Sequence, residues 1–364
     1  MQPYNQSIDR MQSVFDHWEN QTYFFHFILN VLSVFINIFH IFIITRKSMR
    51  TSSVNVLMIG IAVCDLCLML TSIYKYLQLV DWENPECTTA NSLLKIYMDI
   101  TAWSLQYHFR RCSCWLGILM ASVRYAIMSQ MSDVRYVKLA KPRLGAILIF
   151  IIFIVSAIIT AVWQYECEVL ENRTFPLAPH CAERQDINAL YRFSVRLRPV
   201  SNISGYIINM SYFIIDSVIS SFIPSIAFPT LTILLIRKIR KFKKATSTTT
   251  TNSTIGENDE KYGLTEKLIV LIAITFFIAE APPGIISTIK AIVGNINDLY
   301  RLSTDLTVYF AILATINSIL HPMFCLVMSS KYRKTIKSML RKKKEASVVP
   351  VEIQMSCIAL TPVM

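Results

Sequence analysis

The chain has 364 residues, 53% of them hydrophobic and 16% charged, with a net charge of +12. Soluble domains carry about 25% charged residues, so this composition excludes an ordinary soluble protein, and its 20 Phe, 16 Tyr and 5 Trp exclude disorder over most of the chain. The positive charge is typical of nucleic-acid binding, of a basic tail or of basic cytoplasmic loops, and the positions of the charges decide among these.

Seven apolar stretches follow one another along the chain, and each is long enough for a bilayer-spanning helix of about 20 residues. They cover residues 23–45, 54–77, 96–123, 144–163, 206–236, 268–293 and 306–328. The third is the least apolar, because it contains Asp99, Arg110 and Arg111. A soluble bundle would need a polar face on every helix, and residues 144–162 hold no charged residue. We therefore predict an all-α membrane protein, a bundle of seven transmembrane helices.

The positive charges lie on alternate connections between these spans. The first, third and fifth connections and the tail after span seven hold 24 of the 36 Lys and Arg residues. Basic loops face the cytoplasm, which predicts an extracellular N-terminus and a cytoplasmic C-terminus. No contiguous basic domain remains to bind nucleic acid. The predicted division is an extracellular segment (1–22), a seven-helix domain (23–328), and an amphipathic helix with a tail on the cytoplasmic side (329–364).

Glycosylation sequons that fall on the predicted outer side include those at Asn5, Asn20 and Asn172, each completed by Ser or Thr two residues later. Another, at Asn252, lies on the predicted cytoplasmic side, where it would not be modified.

Polar residues within the first three spans form a recognisable set. Asn37 lies in span one, Asp65 lies in the middle of span two, and span three ends in Val123-Arg124-Tyr125. This set resembles the rhodopsin-like G-protein-coupled receptors, whose third span ends in Asp-Arg-Tyr. Val123 stands where that family has the acid.

Span seven carries a second motif of the same family, with two departures. The sequence from Asn317 through His321-Pro322 to Cys325 resembles the Asn-Pro-x-x-Tyr signature, and His321 and Cys325 are the substituted positions. Within that family, the sequence resembles the nematode serpentine receptors of class W, which are related to FMRFamide-type neuropeptide receptors. Four segments carry it: 49–66, 110–117, 276–284 and 328–333.

The resemblance implies a polar activation network inside the bundle. Its members would be Asn37, Asp65, Ser113, Asn317, His321 and Pro322. In many rhodopsin-like receptors this network holds a sodium ion beside the aspartate. His321 can become positively charged, so a hydrogen-bonded Asp65–His321 pair is an alternative to sodium, as is a structural network without an ion. The resemblance also makes Arg124 and Tyr125 the contact for a G protein.

Two adjacent arginines deep in span three need a partner. Arg110 and Arg111 precede Arg124 by 13 to 14 residues, about 20 Å along a helix, and each would cost several kcal/mol if unpaired. Glu280 lies at similar depth in span six, two residues before Pro282. We predict that Arg110 or Arg111 pairs with Glu280, either as a fixed ion pair or as a switch that ligand makes or breaks. All three are candidate ligand-site residues.

The same resemblance places the remaining ligand-site residues near the outer side. Asp99 and Asp216 would face the pocket and suit a cationic ligand. A disulfide would join the top of span three to the second outer loop, for which Cys87 with Cys181 is preferred and Cys167 is the alternative partner. That loop, about 164–205, is predicted to fold over the pocket.

These features predict a plasma-membrane receptor that couples an extracellular ligand to a heterotrimeric G protein. A neuropeptide is the leading ligand class, an environmental chemosensory cue is the runner-up, and a transporter or channel is the rival class. Neither enzymatic motifs nor a cofactor site is recognisable. Beyond 328, alternating basic and apolar residues predict an amphipathic helix that binds membrane lipids.

Overall fold

The computed structural model describes residues 2–80, 93–129, 138–172, 192–197, 218–247, 271, 274–286 and 297–346. The described helices are α1 (Gln2–Ile44), α2 (Ser53–Val80), α3 (Leu93–Ser129), α4 (Pro142–Glu166), α5 (Ile223–Ser247), α6 (Ile274–Ile286), α7 (Asn297–Met328) and α8 (Ser330–Ala346). Two strands, β1 (Cys167–Asn172) and β2 (Arg192–Leu197), pair antiparallel between α4 and α5. A π-helical turn, Val218–Phe222, leads into α5.

The helices follow the predicted spans wherever those spans are described, which confirms the seven-helix fold class. Five helical segments have the length and hydropathy of a membrane span: Gln21–Ile44, Ser53–Leu77, Pro142–Val162, Val218–Lys238 and Leu306–Val327. The sixth span is described as the shorter apolar helix α6. The third span, α3, is 37 residues long but rich in charge, and its charged side chains turn towards its neighbours, as described below.

The structure departs from the expected segment boundaries at two places. α1 begins at Gln2, whereas the apolar pattern predicts a helix only from residue 23, because residues before that point give no hydrophobic signal. The connection between α4 and α5 contains the β1–β2 hairpin, which pairs Cys167 with Leu197 and Asn172 with Arg192. Pairing between residues that far apart in the chain has no local signature, so the sequence predicts only a loop there.

The largest apolar cluster lies at the end of the bundle that also carries α8. It joins the C-terminal ends of α1, α3 and α7 to the beginning of α2, and it includes Ile43, Leu57, Leu116 and Cys325. Large apolar side chains elsewhere point outward, among them Phe150, which is 68% exposed on α4. An apolar exterior around a polar interior is what a bundle dissolved in lipid requires.

Gly145 sets how closely α4 approaches α2. A Cβ at this position would lie 2.6 Å from the carbonyl oxygen of Ser53, so any side chain must separate the two helices. We expect Gly145→Val to abolish surface expression and Gly145→Ala to destabilise the bundle by about 1–3 kcal/mol. Gly117→Ala is the matched control, because a Cβ there would meet Phe228 at an ordinary 3.6 Å. Equal surface expression of Gly145→Val and wild type would contradict the expectation.

Candidate functional site

A small cavity lined by both apolar and polar side chains lies between α2, α3, α5, α6 and α7. Its volume is about 50 Å³, which holds about three to five water molecules. Phe228 and Phe276 line it on the apolar side. Its polar lining consists of Asp65, Arg110, Ser113, Glu280, Asn317, Ser318 and His321. The cavity therefore brings together ligand-site and network residues that the sequence spreads over four spans.

An ion pair between α3 and α6 forms one wall of this cavity. Arg110 Nη2 lies 3.3 Å from Glu280 Oε2 and donates a hydrogen bond to it. The Glu280 side chain is 9% exposed and that of Arg110 is 24% exposed. Arg110 Nε is buried without a hydrogen-bond partner among the described residues. The predicted pair to Glu280 thus forms with Arg110, and it leaves one N–H donor of the guanidinium unused.

Arg111 points to the opposite side of α3. Its Nη1 donates to Ser156 O at 3.1 Å and to Thr160 Oγ1 at 3.1 Å on α4, and its Nε donates to Ser220 Oγ at 2.9 Å in the π-helical turn. Trp115 Nε1 also donates to a carbonyl of that turn, at Ile219. A π-turn displaces backbone groups from the regular helical pattern, and here it presents acceptors to α3. Arg111 therefore ties α3 to α4 and α5 rather than to Glu280.

The planar guanidinium of Arg111 donates hydrogen bonds to α4 and to the π-helical turn at the same time. Arg111→Lys keeps the charge but loses the planar arrangement of donors that serves α4 and the π-helical turn simultaneously. We expect a loss of about 2 kcal/mol in unfolding free energy, comparable to one hydrogen bond to a charged group. The measurement is the melting midpoint of purified receptor, with Arg143→Lys, an exposed residue at the start of α4, as control. Equal midpoints for both variants would be the contradicting result.

Asp65 receives its hydrogen bonds from serines. Ser113 Oγ donates to Asp65 Oδ1 at 2.8 Å, and Ser318 is a second hydrogen-bond partner of the same carboxylate. Asn37 Nδ2 donates to Ser318 Oγ at 2.9 Å. The network thus connects Asn37 to Asp65 through Ser318. His321 lines the same cavity, and no hydrogen bond between it and Asp65 is present among the described residues, so the Asp65–His321 pair, one of the alternatives considered, is not seen there.

The sequence interpretation identified only Asn37 from a polar stripe on α1. His26, Asn30, Ser33, Asn37 and His40 recur at alternating spacings of four and three residues, which places them on one helix face. The stripe packs on α7, where its partners are the hydroxyls of two residues. Thr315 Oγ1 lies 3.1 Å from His26 Nε2 and donates to Asn30 Oδ1 at 3.0 Å, and Ser318 Oγ lies 3.2 Å from Ser33 Oγ. The spacing within an apolar span was the available signal.

Arg124 lies in the half of the bundle that carries α8. Its guanidinium interacts electrostatically with His321 and Cys325 on α7, and no described carboxylate forms an ion pair with it. Val123 beside it is buried in the largest apolar cluster. Tyr125 packs against Leu235 on α5. The substitution of the acid at 123 therefore leaves Arg124 without the neighbouring carboxylate of the family triplet.

The half of the bundle opposite α8 contains a separate polar group. Tyr74 OH donates to Asp99 Oδ1 at 3.1 Å, and Lys75 Nζ donates to Gln106 Oε1 and interacts electrostatically with Asp99. Asp99 thus already has a cation nearby. Asp216, Cys87 and Cys181 lie outside the described residues. Asn172 ends β1, and Asn5 and Asn20 lie in α1.

Five helices of the bundle are candidate membrane spans. α3 and α6 stand at the third and sixth positions in the chain order, and charged residues line an interior cavity. These features define a multi-pass membrane protein of the seven-helix receptor class. The family model of serpentine type 7TM GPCR chemoreceptors, Srw, matches residues 24–343. The chain belongs to this family, and it is a G-protein-coupled receptor. The class W resemblance and the receptor class are thereby confirmed. A comparison with curated proteins gives no match.

Proposed function

We propose that the protein is a plasma-membrane receptor for an extracellular neuropeptide. The proposal is supported by the resemblance to FMRFamide-type receptors and by the paired strands between α4 and α5. β2 contacts α3 and β1 contacts α4, so a hairpin lies against two helices of the bundle. A hairpin offers backbone donors and acceptors along its edges, which suit an extended peptide. The ligand enters from the N-terminal side, in keeping with the positive-inside bias.

The Arg110–Glu280 pair is the observation that carries the mechanism. It joins α3 to α6 immediately before Pro282, and Pro282 and Pro283 together weaken the α6 backbone ladder there. The unused N–H of Arg110 Nε can donate a hydrogen bond to a ligand oxygen. Ligand that draws Arg110 away from Glu280 stabilises an arrangement with α6 swung outward. The ligand shifts the receptor population towards that arrangement because it binds that arrangement more tightly than the paired one.

At the other end of the bundle, the outward swing of α6 uncovers Arg124 and Tyr125 for the G protein.

α8 carries Lys331, Arg333, Lys334 and Lys337 on exposed positions, while Tyr332 packs inward. Burial raises the pKa of Tyr332, so it remains a neutral hydroxyl. The basic face attracts anionic lipid. A sodium ion bound beside Asp65 is also proposed as one form of the polar network. A loss of agonist affinity as the sodium concentration rises would support it.

The decisive experiment expresses the receptor with a promiscuous G-protein reporter and applies a neuropeptide library. A peptide response that disappears in Arg124→Gln at equal surface expression supports the proposal. A response confined to small environmental compounds favours the chemosensory alternative, which the description of the family as chemoreceptors already supports. Ligand-driven flux that needs no G protein would instead identify a transporter. Glycosylation at Asn172, lost in Asn172→Gln, tests the orientation.

A further inference from the structure

We propose that His40, His321 and Cys325 form a binding site for a thiolate-preferring transition-metal ion, Cu⁺ or Zn²⁺. One ring nitrogen of each histidine and Cys325 Sγ lie within 4.8 Å of one another. His321 and Cys325 are four residues apart on α7 and so share a helix face, and His40 comes from α1. Two imidazoles and a thiolate are a ligand set for these ions.

The hydrogen bonding of His40 leaves a nitrogen for the metal. His40 is completely buried, and its Nδ1 lies 2.9 Å from Tyr332 OH. Its Nε2 is buried without a hydrogen-bond partner among the described residues. In the tautomer whose Nδ1–H donates to Tyr332, the lone pair is on Nε2. Metal-bound histidines commonly donate their second ring nitrogen to such an acceptor, which fixes the tautomer and orients the ring.

The separations fit a site that closes around an ion. Metal–nitrogen bonds of about 2.0 Å and a metal–sulfur bond of about 2.3 Å put tetrahedral ligand atoms about 3.5 Å apart. Because the ligand atoms lie within 4.8 Å of one another, closure around an ion requires them to approach by about 1 Å. When the metal–sulfur bond forms, the Cys325 thiol releases its proton to solvent.

Charge determines which ion fits better. The guanidinium of Arg124 interacts with both His321 and Cys325; it favours the thiolate and opposes a divalent ion. Cu⁺ with two neutral imidazoles and one thiolate gives an uncharged centre with three ligands. Zn²⁺ leaves one positive charge and needs a fourth ligand beyond these three. Either ion would hold α7 against α1 beside the residue that is proposed to contact the G protein.

The test uses the full chain in lipid nanodiscs, purified with a histidine-free tag. Zn²⁺, and separately Cu⁺ under anaerobic conditions with a reductant, are titrated in competition with a chelator. Co²⁺ serves as the spectroscopic probe for thiolate ligation. We expect one ion per receptor and a thiolate-to-cobalt charge-transfer band. Cys325→Ser should remove the band and weaken binding by at least about 10-fold, and Tyr332→Phe should weaken it by about 10-fold.

Two further variants separate metal binding from folding. Cys67→Ser removes a partly buried thiol on α2 that lies outside the cluster, and it should bind metal like wild type. His40→Gln should lose affinity as Cys325→Ser does, provided that both variants remain monodisperse. Absence of metal from wild type at micromolar concentrations, or retention of the cobalt band in Cys325→Ser, would overturn the proposal. Because metal content is measured directly, these outcomes are independent of the ligand and of G-protein coupling.

Discussion

Replacing Glu280 by glutamine is expected to lower both the thermal stability and the signalling of the receptor. The substitution keeps the side-chain shape but leaves the guanidinium of Arg110 in the bundle without its carboxylate. Removing one partner of a buried ion pair costs about 3–5 kcal/mol. The lower end is expected here, because the Arg110 side chain keeps 24% of its surface exposed, which reduces the cost of leaving its charge without a partner.

A double-mutant cycle separates the pair from the individual residues. Arg110→Gln, Glu280→Gln and the double variant are compared by melting midpoint, by surface expression and by agonist-independent signalling. The double variant should be more stable than the sum of the single effects predicts, with a coupling of at least about 1 kcal/mol. Arg143→Gln, exposed at the start of α4, is the control for loss of an arginine.

The cycle also distinguishes the two roles of the pair. A fixed structural pair predicts lost stability with unchanged signalling per surface receptor, whereas a switch predicts changed signalling per surface receptor. If Glu280→Gln leaves both surface expression and signalling unchanged, neither role is correct.

Introducing an acid at position 123 is expected to silence basal signalling. Wild type has Val123 beside Arg124 and no described carboxylate paired with Arg124, so we expect basal activity above the vector control. Val123→Asp places a carboxylate next to the guanidinium and should reduce basal activity about 10-fold, corresponding to about 1.4 kcal/mol of added stabilisation of the inactive arrangement. Arg124→Gln should reduce it to the level of the vector.

The control for this experiment is Val123→Asn. Asparagine has the same shape as aspartate, so this variant places a polar group in the buried apolar cluster without adding a charge. Signalling should therefore be reported per receptor at the cell surface, which corrects for any loss of stability. If Val123→Asn reduces basal activity as much as Val123→Asp, the effect comes from polar burial and not from an ion pair. A wild type without activity above the vector would contradict the premise.

The division of labour between Arg110 and Arg111 shows where sequence reasoning stops. Depth along the helix places both arginines opposite Glu280, and the cost of an unpaired charge in lipid requires a partner. Which arginine faces α6 depends on the rotation of α3 about its own axis. Packing sets that rotation. The π-helical turn at Val218–Phe222 offers acceptors to Arg111. No local sequence pattern predicts such a turn.

For the network around Asp65, the sequence identified several members but not their hydrogen-bond partners. The aspartate, Ser113 and Asn317 are identified from their motif positions, and they line one cavity. The hydrogen-bond partners are different from those expected, because Ser318 lies between Asn37 and Asp65. The stripe from His26 to His40 could have been found by its spacing. Its pairing with Thr315 and Ser318 required knowing that α1 packs on α7.

By itself, the sequence determined the class of the protein, the number of spans and the predicted orientation. These depend on runs of apolar residues and on the side that carries lysine and arginine, and both properties are local and additive along the chain. The tertiary structure decided which polar side chains meet. Helix rotation separated Arg110 from Arg111, the approach of α1 to α7 brought His40 to Cys325, and β1 paired with β2. Each of these contacts joins residues distant in sequence, so it follows from packing geometry and has no signature within a single helix.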